Sequence, residues 1–180
     1  MGAMRMKRSL VAAAFAAVGM TSAACSGGQG NETPPTQQVP KDVLTSFDPC
    51  TVLSSQEIQS FGASPEGKPS DLGLGEVGCD FDGDEFDFGV LKASNHDEAY
   101  WQGQRTQFDE FTPNQVGGHQ GFVGIELSGK GQGVCTQVMY VGKGSVIVDI
   151  NYRSDKIPSD EATCAKAMEI ARLVEPKLPK

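Results

Sequence analysis

The chain has 180 residues, enough for one domain with extensions, and it is acidic, with 23 Asp and Glu against 15 Lys and Arg. An acidic surface repels the phosphates of nucleic acids, so a nucleic-acid partner is not expected. The only histidines are His96 and His119, and no second histidine stands at metal-ligand spacing from either. A zinc site therefore has no support, and no cofactor is expected.

Residues 1–24 have the order of a secretory signal peptide. Arg5, Lys7 and Arg8 precede an apolar run of 11 residues, Leu10 to Met20. A bilayer-spanning helix needs about 20 such residues, so this run predicts an export signal rather than a retained anchor. Removal of the predicted signal leaves 12 basic against 23 acidic residues, which makes the exported chain more acidic still.

The predicted signal ends at a cysteine. Ser22-Ala23-Ala24-Cys25 resembles the lipobox of bacterial lipoproteins, in which the cysteine thiol receives a diacylglycerol. Ser22 stands where leucine is usual, and the same residues also suit an ordinary signal peptidase, so both alternatives stay open. Residues 25–46 are rich in Gly, Pro and Gln, which is typical of a flexible tether. We expect Cys25 to carry lipid, with acyl chains such as palmitate, and to hold the protein at the extracytoplasmic face of the plasma membrane.

Residues 47–180 have the composition of a single globular domain. The capping-box pattern S-x-x-E at Ser54–Glu57 predicts a short helix to about Phe61. The further predicted elements are a hairpin (77–81 and 86–90), a helix (97–108) that begins directly after His96, a short strand (122–127), a second hairpin (134–141 and 145–152) and a last helix (159–174). This order predicts an α+β fold: an antiparallel sheet of about five strands, with helices packed on one face.

Without Cys25, four cysteines remain: Cys50, Cys79, Cys135 and Cys164. An even number of cysteines in an exported chain indicates two disulfides, and four cysteines allow three pairings. We predict that Cys50 pairs with Cys164, tying the terminal elements together, and that Cys79 pairs with Cys135, joining two strands.

Three further patterns resemble functional sites. Gly73–Gly78 fits G-x-G-x-x-G, but it opens a strand rather than a helix, so nucleotide binding is not expected. Asp80, Asp82 and Asp84 alternate as in Ca²⁺ loops, but the glycine and glutamate that an EF-hand requires are missing. They stay a weak Ca²⁺ candidate, and no metal site is predicted. Trp101 and His119 could line a cleft.

The cysteines also carry a family resemblance. Asp48-Pro49-Cys50-Thr51-Val52-Leu53, followed by the predicted helix, resembles an actinobacterial lipoprotein family known as domain of unknown function 3558. The family pattern also has two strand cysteines and a helix cysteine, matched by Cys79, Cys135 and Cys164. Phe81 stands where family members often have tryptophan. The resemblance implies a secreted, lipid-anchored α+β domain without assigned chemistry.

These observations predict a non-enzymatic module of the cell envelope that binds an unknown ligand or protein and reaches the membrane through its N-terminal lipid. Two alternatives stay open. One is an envelope hydrolase that uses His119 and nearby carboxylates. The other is a structural accessory of an envelope complex.

Overall fold

The computed structural model describes residues 42–71 and 73–180, so the predicted signal peptide, Cys25 and most of the predicted tether lie outside the described residues. Within that part, the chain forms seven strands: β1 (Lys68–Asp71), β2 (Val77–Phe81), β3 (Phe86–Ala93), β4 (Phe108–Val116), β5 (His119–Glu126), β6 (Val134–Val141) and β7 (Gly144–Tyr152). It also forms three α-helices: α1 (Ser55–Ser60), α2 (Glu98–Gly103) and α3 (Asp160–Val174). Short 3₁₀ helices cover Val43–Ser46, Arg105–Gln107 and Glu175–Lys177.

All seven strands form one antiparallel sheet in the order β1-β2-β3-β7-β6-β5-β4. The sheet consists of two meanders, β1 to β3 and β4 to β7. The last strand of each meander pairs with the other, so β3 and β7 lie at the centre. Both predicted hairpins are confirmed, as β2–β3 and β6–β7.

The sheet has seven strands rather than about five, because the sequence pattern missed both edge strands. β1 has the sequence KPSD and is largely exposed, so it has no apolar alternation. In β4 the alternation is broken by a register shift between Phe108 and Glu110, and the strand contains Pro113. Proline is tolerated there because an edge strand has one unpaired side. The helix predicted at 97–108 ends at Gly103, and the chain then turns into β4.

One face of the sheet carries the larger hydrophobic core. Helices α1 and α3 contribute Ile58, Ile170 and Val174, which pack with Phe88 and Val148 of the central strands. Both helices begin with the caps that the sequence predicts. At α1, the side chain of Ser54 and that of Glu57 form a reciprocal capping box, and at α3 the Ser159 hydroxyl accepts a hydrogen bond from the amide of Ala162.

The opposite face carries a second, smaller core beneath α2. Trp101 packs there with Leu91, Phe122 and Ile147. Its indole Nε1 donates to Ser145 Oγ at 3.0 Å. The prediction that helices pack on one face only is therefore wrong. Alternation along β7 is the reason: Val146, Val148 and Ile150 face α3, while Ile147 also needs an apolar cover on the other side.

The disulfide pairing differs from the predicted one. Cys50 pairs with Cys79, and Cys135 pairs with Cys164, with Cα–Cα distances of 5.0 and 5.2 Å. Each bridge joins residues separated by 29 positions. Cys79 and Cys135 lie in β2 and β6, which β3 and β7 separate, so their side chains are too far apart to bond.

The ordered domain begins before residue 47, within the stretch predicted as tether. The 3₁₀ helix Val43–Ser46 places Leu44 in the larger core, where it is fully buried. Lys92 Nζ donates to the backbone oxygens of Leu44 and Phe47, at 3.0 and 2.6 Å. These bonds hold the N-terminal segment against β3.

Candidate functional site

The face of the sheet that carries α2 is only partly covered. Residues paired across neighbouring strands form two adjacent rows on this face, one beneath α2 and one beyond it. The row under α2 is apolar and includes Leu91, Ile147, Val138 and Phe122, which are paired across neighbouring strands. The next row lies beyond the helix, and its composition is different.

This second row has small and polar residues at its centre. Successive strand pairs place Asp80 beside Gly89, Gly89 beside Asp149, Asp149 beside Thr136, and Thr136 beside Gly124. The two glycines add no side chain beside the central pair, so neighbouring side chains approach the backbone there. A Cβ at Gly89 would lie 2.9 Å from Asp80 Oδ1, and a Cβ at Gly124 would lie 2.9 Å from Phe108 Cδ1. Asp80, Gly89, Asp149 and Thr136 of this row form the floor of a depression.

Two adjoining cavities occupy this depression. The first, of about 410 Å³, is bordered by carboxylates, among them Asp80, Asp82 and Asp87. The second, of about 550 Å³, lies toward Trp101, Phe108 and Leu127. Both are lined by Glu126, Thr136 and Asp149, so they are continuous. We call the two cavities together the sheet groove.

The sheet groove has an acidic end and an apolar end. At the apolar end, Phe108 makes edge contacts with Trp101 and Phe122, with ring centroids 6.3 and 5.3 Å apart. Leu74 and Leu127 stand at its mouth and are 67% and 61% exposed. In the described part of the chain, these two leucine side chains are largely uncovered by other residues, so they add exposed apolar surface to the rim of the cavity.

The carboxylates of the groove differ in how their charge is balanced. Asp82 pairs with Lys68, and Asp87 lies 3.4 Å from the Arg153 guanidinium. Within the described part of the chain, Asp80, Glu126 and Asp149 have no ion pair with a lysine or arginine. Asp149 accepts one hydrogen bond, from Thr136 Oγ1 at 2.7 Å.

The surroundings of the acidic residues in the groove raise the pKa of Asp149 and of Glu76. Burial, with smaller contributions from the carboxylates of Glu76, Glu126 and Asp80, raises the pKa of Asp149 to about 7, although the hydrogen bond from Thr136 acts in the opposite direction. Burial also raises the pKa of Glu76, with a contribution from the charge of Glu126. The groove thus concentrates like charges that repel one another.

A histidine supports the loop that carries Glu76 and Leu74. His96 is buried and stacks on Tyr100, with ring centroids 3.7 Å apart. Its Nδ1 lies 3.4 Å from Glu76 Oε1. Burial lowers the pKa of His96. The position directly before α2, predicted from sequence for this histidine, is confirmed, because Asp97 caps the helix.

The alternating aspartates separate in space. Asp80 and Asp82 border the acidic end of the sheet groove, whereas Asp84 borders a different cavity beside Phe61 and Tyr152. In residues 42–71 and 73–180, no three His, Cys, Asp or Glu side chains converge closely enough to hold a metal ion. The weak Ca²⁺ candidate therefore does not form a three-carboxylate site.

Of the two residues predicted to line a cleft, Trp101 lines the apolar end of the sheet groove and also packs in the smaller core under α2. His119 lines neither of the two cavities of the groove. His119 lies at the start of β5 and points to the other face, where its Nδ1 is 3.0 Å from Glu175 Oε1. The same carboxylate oxygen accepts from the Gly118 amide at 2.9 Å. This arrangement ties the β4–β5 turn to the end of α3.

Sequence reasoning missed the central residues of the groove. Asp149 stands within the apolar run Val146–Ile150, and Thr136 stands opposite it in β6. The sequence did contain one indication of Asp149: a charged residue stands in a strand that is otherwise apolar on both faces. Recognising Gly89 as a floor position, and Gly124 as the residue beneath Phe108, required the strand register, which the sequence alone does not supply.

The fold and the groove define a class: an α+β domain whose antiparallel sheet is closed on one face and half open on the other. The chain belongs to the family described as Protein of unknown function (DUF3558), whose model matches residues 20–177. This confirms the resemblance to that domain family. Neither curated proteins nor solved structures yield a match. Among the helices of the described ranges, none is long and apolar enough to cross a bilayer.

Proposed function

We propose that this protein is an exported actinobacterial lipoprotein, anchored through Cys25 at the extracytoplasmic face of the plasma membrane. We also propose that its domain is a non-enzymatic binding module whose ligand occupies the sheet groove. The observation that carries the binding role is the groove itself, a concave site with an acidic end and an apolar end. Ligand sites are commonly concave, with volumes of roughly 300–1,000 Å³.

The export part of the proposal is supported by the N-terminal pattern and by the two disulfides. Structural disulfides persist mainly in oxidising compartments outside the cytoplasm. With Cys50, Cys79, Cys135 and Cys164 paired, Cys25 is the one cysteine of the sequence left for lipid. The intact mass of protein extracted from membranes tests this. An unmodified cysteine at the mature N-terminus would refute the anchor.

The two alternatives have less support. A hydrolase based on His119 would need that side chain at an open cleft, but it is engaged with Glu175 at a turn, outside the groove lining. A structural accessory would need a broad apolar surface. In the described ranges, the exposed large hydrophobic side chains are Leu74, Val77 and Leu127.

Filling the groove tests the binding role. In Gly89→Val the new side chain projects from the floor beside Asp149, and the atoms closest to its Cβ are side-chain ends, Asp80 Oδ1 at 2.9 Å and Leu91 Cδ1 at 3.1 Å. Thr112→Val is the matched control, because Thr112 is an exposed strand residue on the opposite face. We expect the small-molecule fraction of a cell-envelope extract to raise the melting temperature of the wild type and of Thr112→Val, but not of Gly89→Val. Equal shifts in all three proteins would contradict a ligand site in the groove.

A further inference from the structure

We infer that the sheet groove binds a small amphiphilic ammonium compound, with its charged amino group at Asp149 and its apolar group at the Phe108 end. This inference rests on the proposed binding function and adds to it the chemical class of the ligand. It is argued from charge, from the apolar wall and from size.

The charge at the centre of the groove lacks a partner inside the protein. Asp80, Asp149 and Glu126 surround the floor, and in the described part of the chain no lysine or arginine pairs with them. Their mutual repulsion opposes folding, and a cation in the groove would relieve it. An ammonium group is also a charged hydrogen-bond donor, which suits the Asp149 carboxylate, whose hydrogen bond in the described part of the chain comes from Thr136.

The apolar end lies within reach of the same ligand. Gly124 is two strands away from Asp149, a distance of about 10 Å. Phe108 lies directly over Gly124, because a Cβ there would be 2.9 Å from Phe108 Cδ1. Leu127 and Leu74 flank this end with exposed side chains. A ligand whose amino group meets Asp149 can therefore place an apolar group among these residues.

The size of the groove favours a small molecule over a protein or a metal ion. A stable protein interface buries about 800 Å² on each partner and has an extended apolar centre. Here the apolar surface is confined to a cavity wall and two leucines. A bare cation needs several converging oxygens, and in residues 42–71 and 73–180 no such group of three acidic side chains is present.

The probe for this inference is 4-phenylbutan-1-amine, which is cationic at neutral pH and carries an aromatic ring on a four-carbon chain. 4-Phenylbutan-1-ol supplies the same apolar part without the charge, butan-1-amine supplies the charge without the ring, and CaCl₂ supplies a bare cation. Titrations of the full mature chain are followed by the amide NMR signals of Gly89 and Gly124. We expect the phenyl amine to bind about tenfold more tightly than the alcohol.

Two variants separate the charge from the apolar wall. Asp149→Asn should weaken binding of the phenyl amine about tenfold and leave the alcohol unaffected. Leu127→Ser should weaken the phenyl amine severalfold but not butan-1-amine, because Leu127 contacts only the apolar part. Glu161→Gln, which removes an exposed acid from α3 on the other face, is the charge-matched control and should bind like the wild type.

Equal affinity for amine and alcohol, an unchanged affinity in Asp149→Asn, or binding of Ca²⁺ alone would each overturn the inference. If Gly89→Val still abolishes the effect of an envelope extract while the amines do not bind, the proposed binding function stands and only the ligand class is wrong. If Gly89→Val has no effect on the extract response, the binding function itself fails.

Discussion

Asp149 shows how a single side chain acquires its properties from its neighbours. An aspartate in water is ionised at neutral pH, but burial in a central strand, together with three nearby carboxylates, raises the pKa of this one to about 7. Thr136 offsets part of this shift by donating a hydrogen bond. The residue is therefore costly for the fold, which is a common property of functional positions.

Because ionisation of Asp149 destabilises the folded state, we predict that the free energy of unfolding depends on pH. Its pKa is higher in the folded state than in the unfolded state, so the folded state keeps its proton to higher pH. The associated stability is fully present below about pH 4, the unfolded value, and is lost as the pH rises through about 7. Asp149→Asn cannot ionise, so we expect its free energy of unfolding at pH 8 to exceed that of the wild type by about 1–3 kcal/mol, and the excess to vanish near pH 4.

Urea unfolding at pH 4, 6 and 8 measures this difference. Glu161→Gln is again the control, because it removes an exposed carboxylate outside the groove. Parallel pH profiles for wild type and Asp149→Asn would show that Asp149 titrates normally.

At the scale of elements, the N-terminal 3₁₀ helix behaves as part of the domain. It is only four residues long, too short to be stable alone, and it is held by burial of Leu44 and by the bonds from Lys92. Its sequence, VLTS, lacks the Gly, Pro and Gln of the adjoining tether, but a run of four residues is too short to mark the boundary.

Leu44→Ala tests this docking. The substitution removes a fully buried side chain and leaves a cavity against the larger core, so we expect a loss of about 2–4 kcal/mol in the free energy of unfolding. Val43→Ala is the neighbouring control, since Val43 is only partly buried, and it should cost clearly less. A loss below about 0.5 kcal/mol for Leu44→Ala would mean that the segment is not docked in solution.

The helices show which local signals were reliable. The capping box at Ser54 and the cap at Ser159 were predicted, because capping depends on residues a few positions apart. Helix α2 was predicted at the right place but too long. The choice between helix and strand for Phe108 depends on pairing with β5, which is a contact that local sequence does not contain.

At the scale of the whole molecule, each half of the sheet has its own disulfide. Cys50–Cys79 links the N-terminal segment to the first meander, and Cys135–Cys164 links α3 to the second. Closing a loop of this length stabilises the fold by about 3–4 kcal/mol in the chain-entropy model. Across the sheet, the two halves are then joined by the pairing of β3 with β7 rather than by a disulfide.

A tryptic digest under non-reducing conditions distinguishes the observed pairing from the two alternatives. Trypsin does not cleave Lys68-Pro69, so Cys50 and Cys79 fall in one peptide, residues 42–92. Cys135 and Cys164 fall in two others, residues 131–143 and 157–166. We expect an internal disulfide in the first peptide and a cross-link between the other two. Either alternative pairing would connect all three peptides in one species.

The sequence by itself determined what depends on neighbours along the chain: the export and tether pattern as a prediction, the caps of α1 and α3, the two hairpins, and membership of the family. It also indicated that the cysteines pair. The tertiary structure alone decided which cysteines meet, that α2 lies on the second face, and that Asp80, Gly89, Asp149, Thr136 and Gly124 lie side by side. The reason is that residues adjacent across strands are distant in sequence, and their register follows from burial on both faces of the sheet rather than from any local pattern.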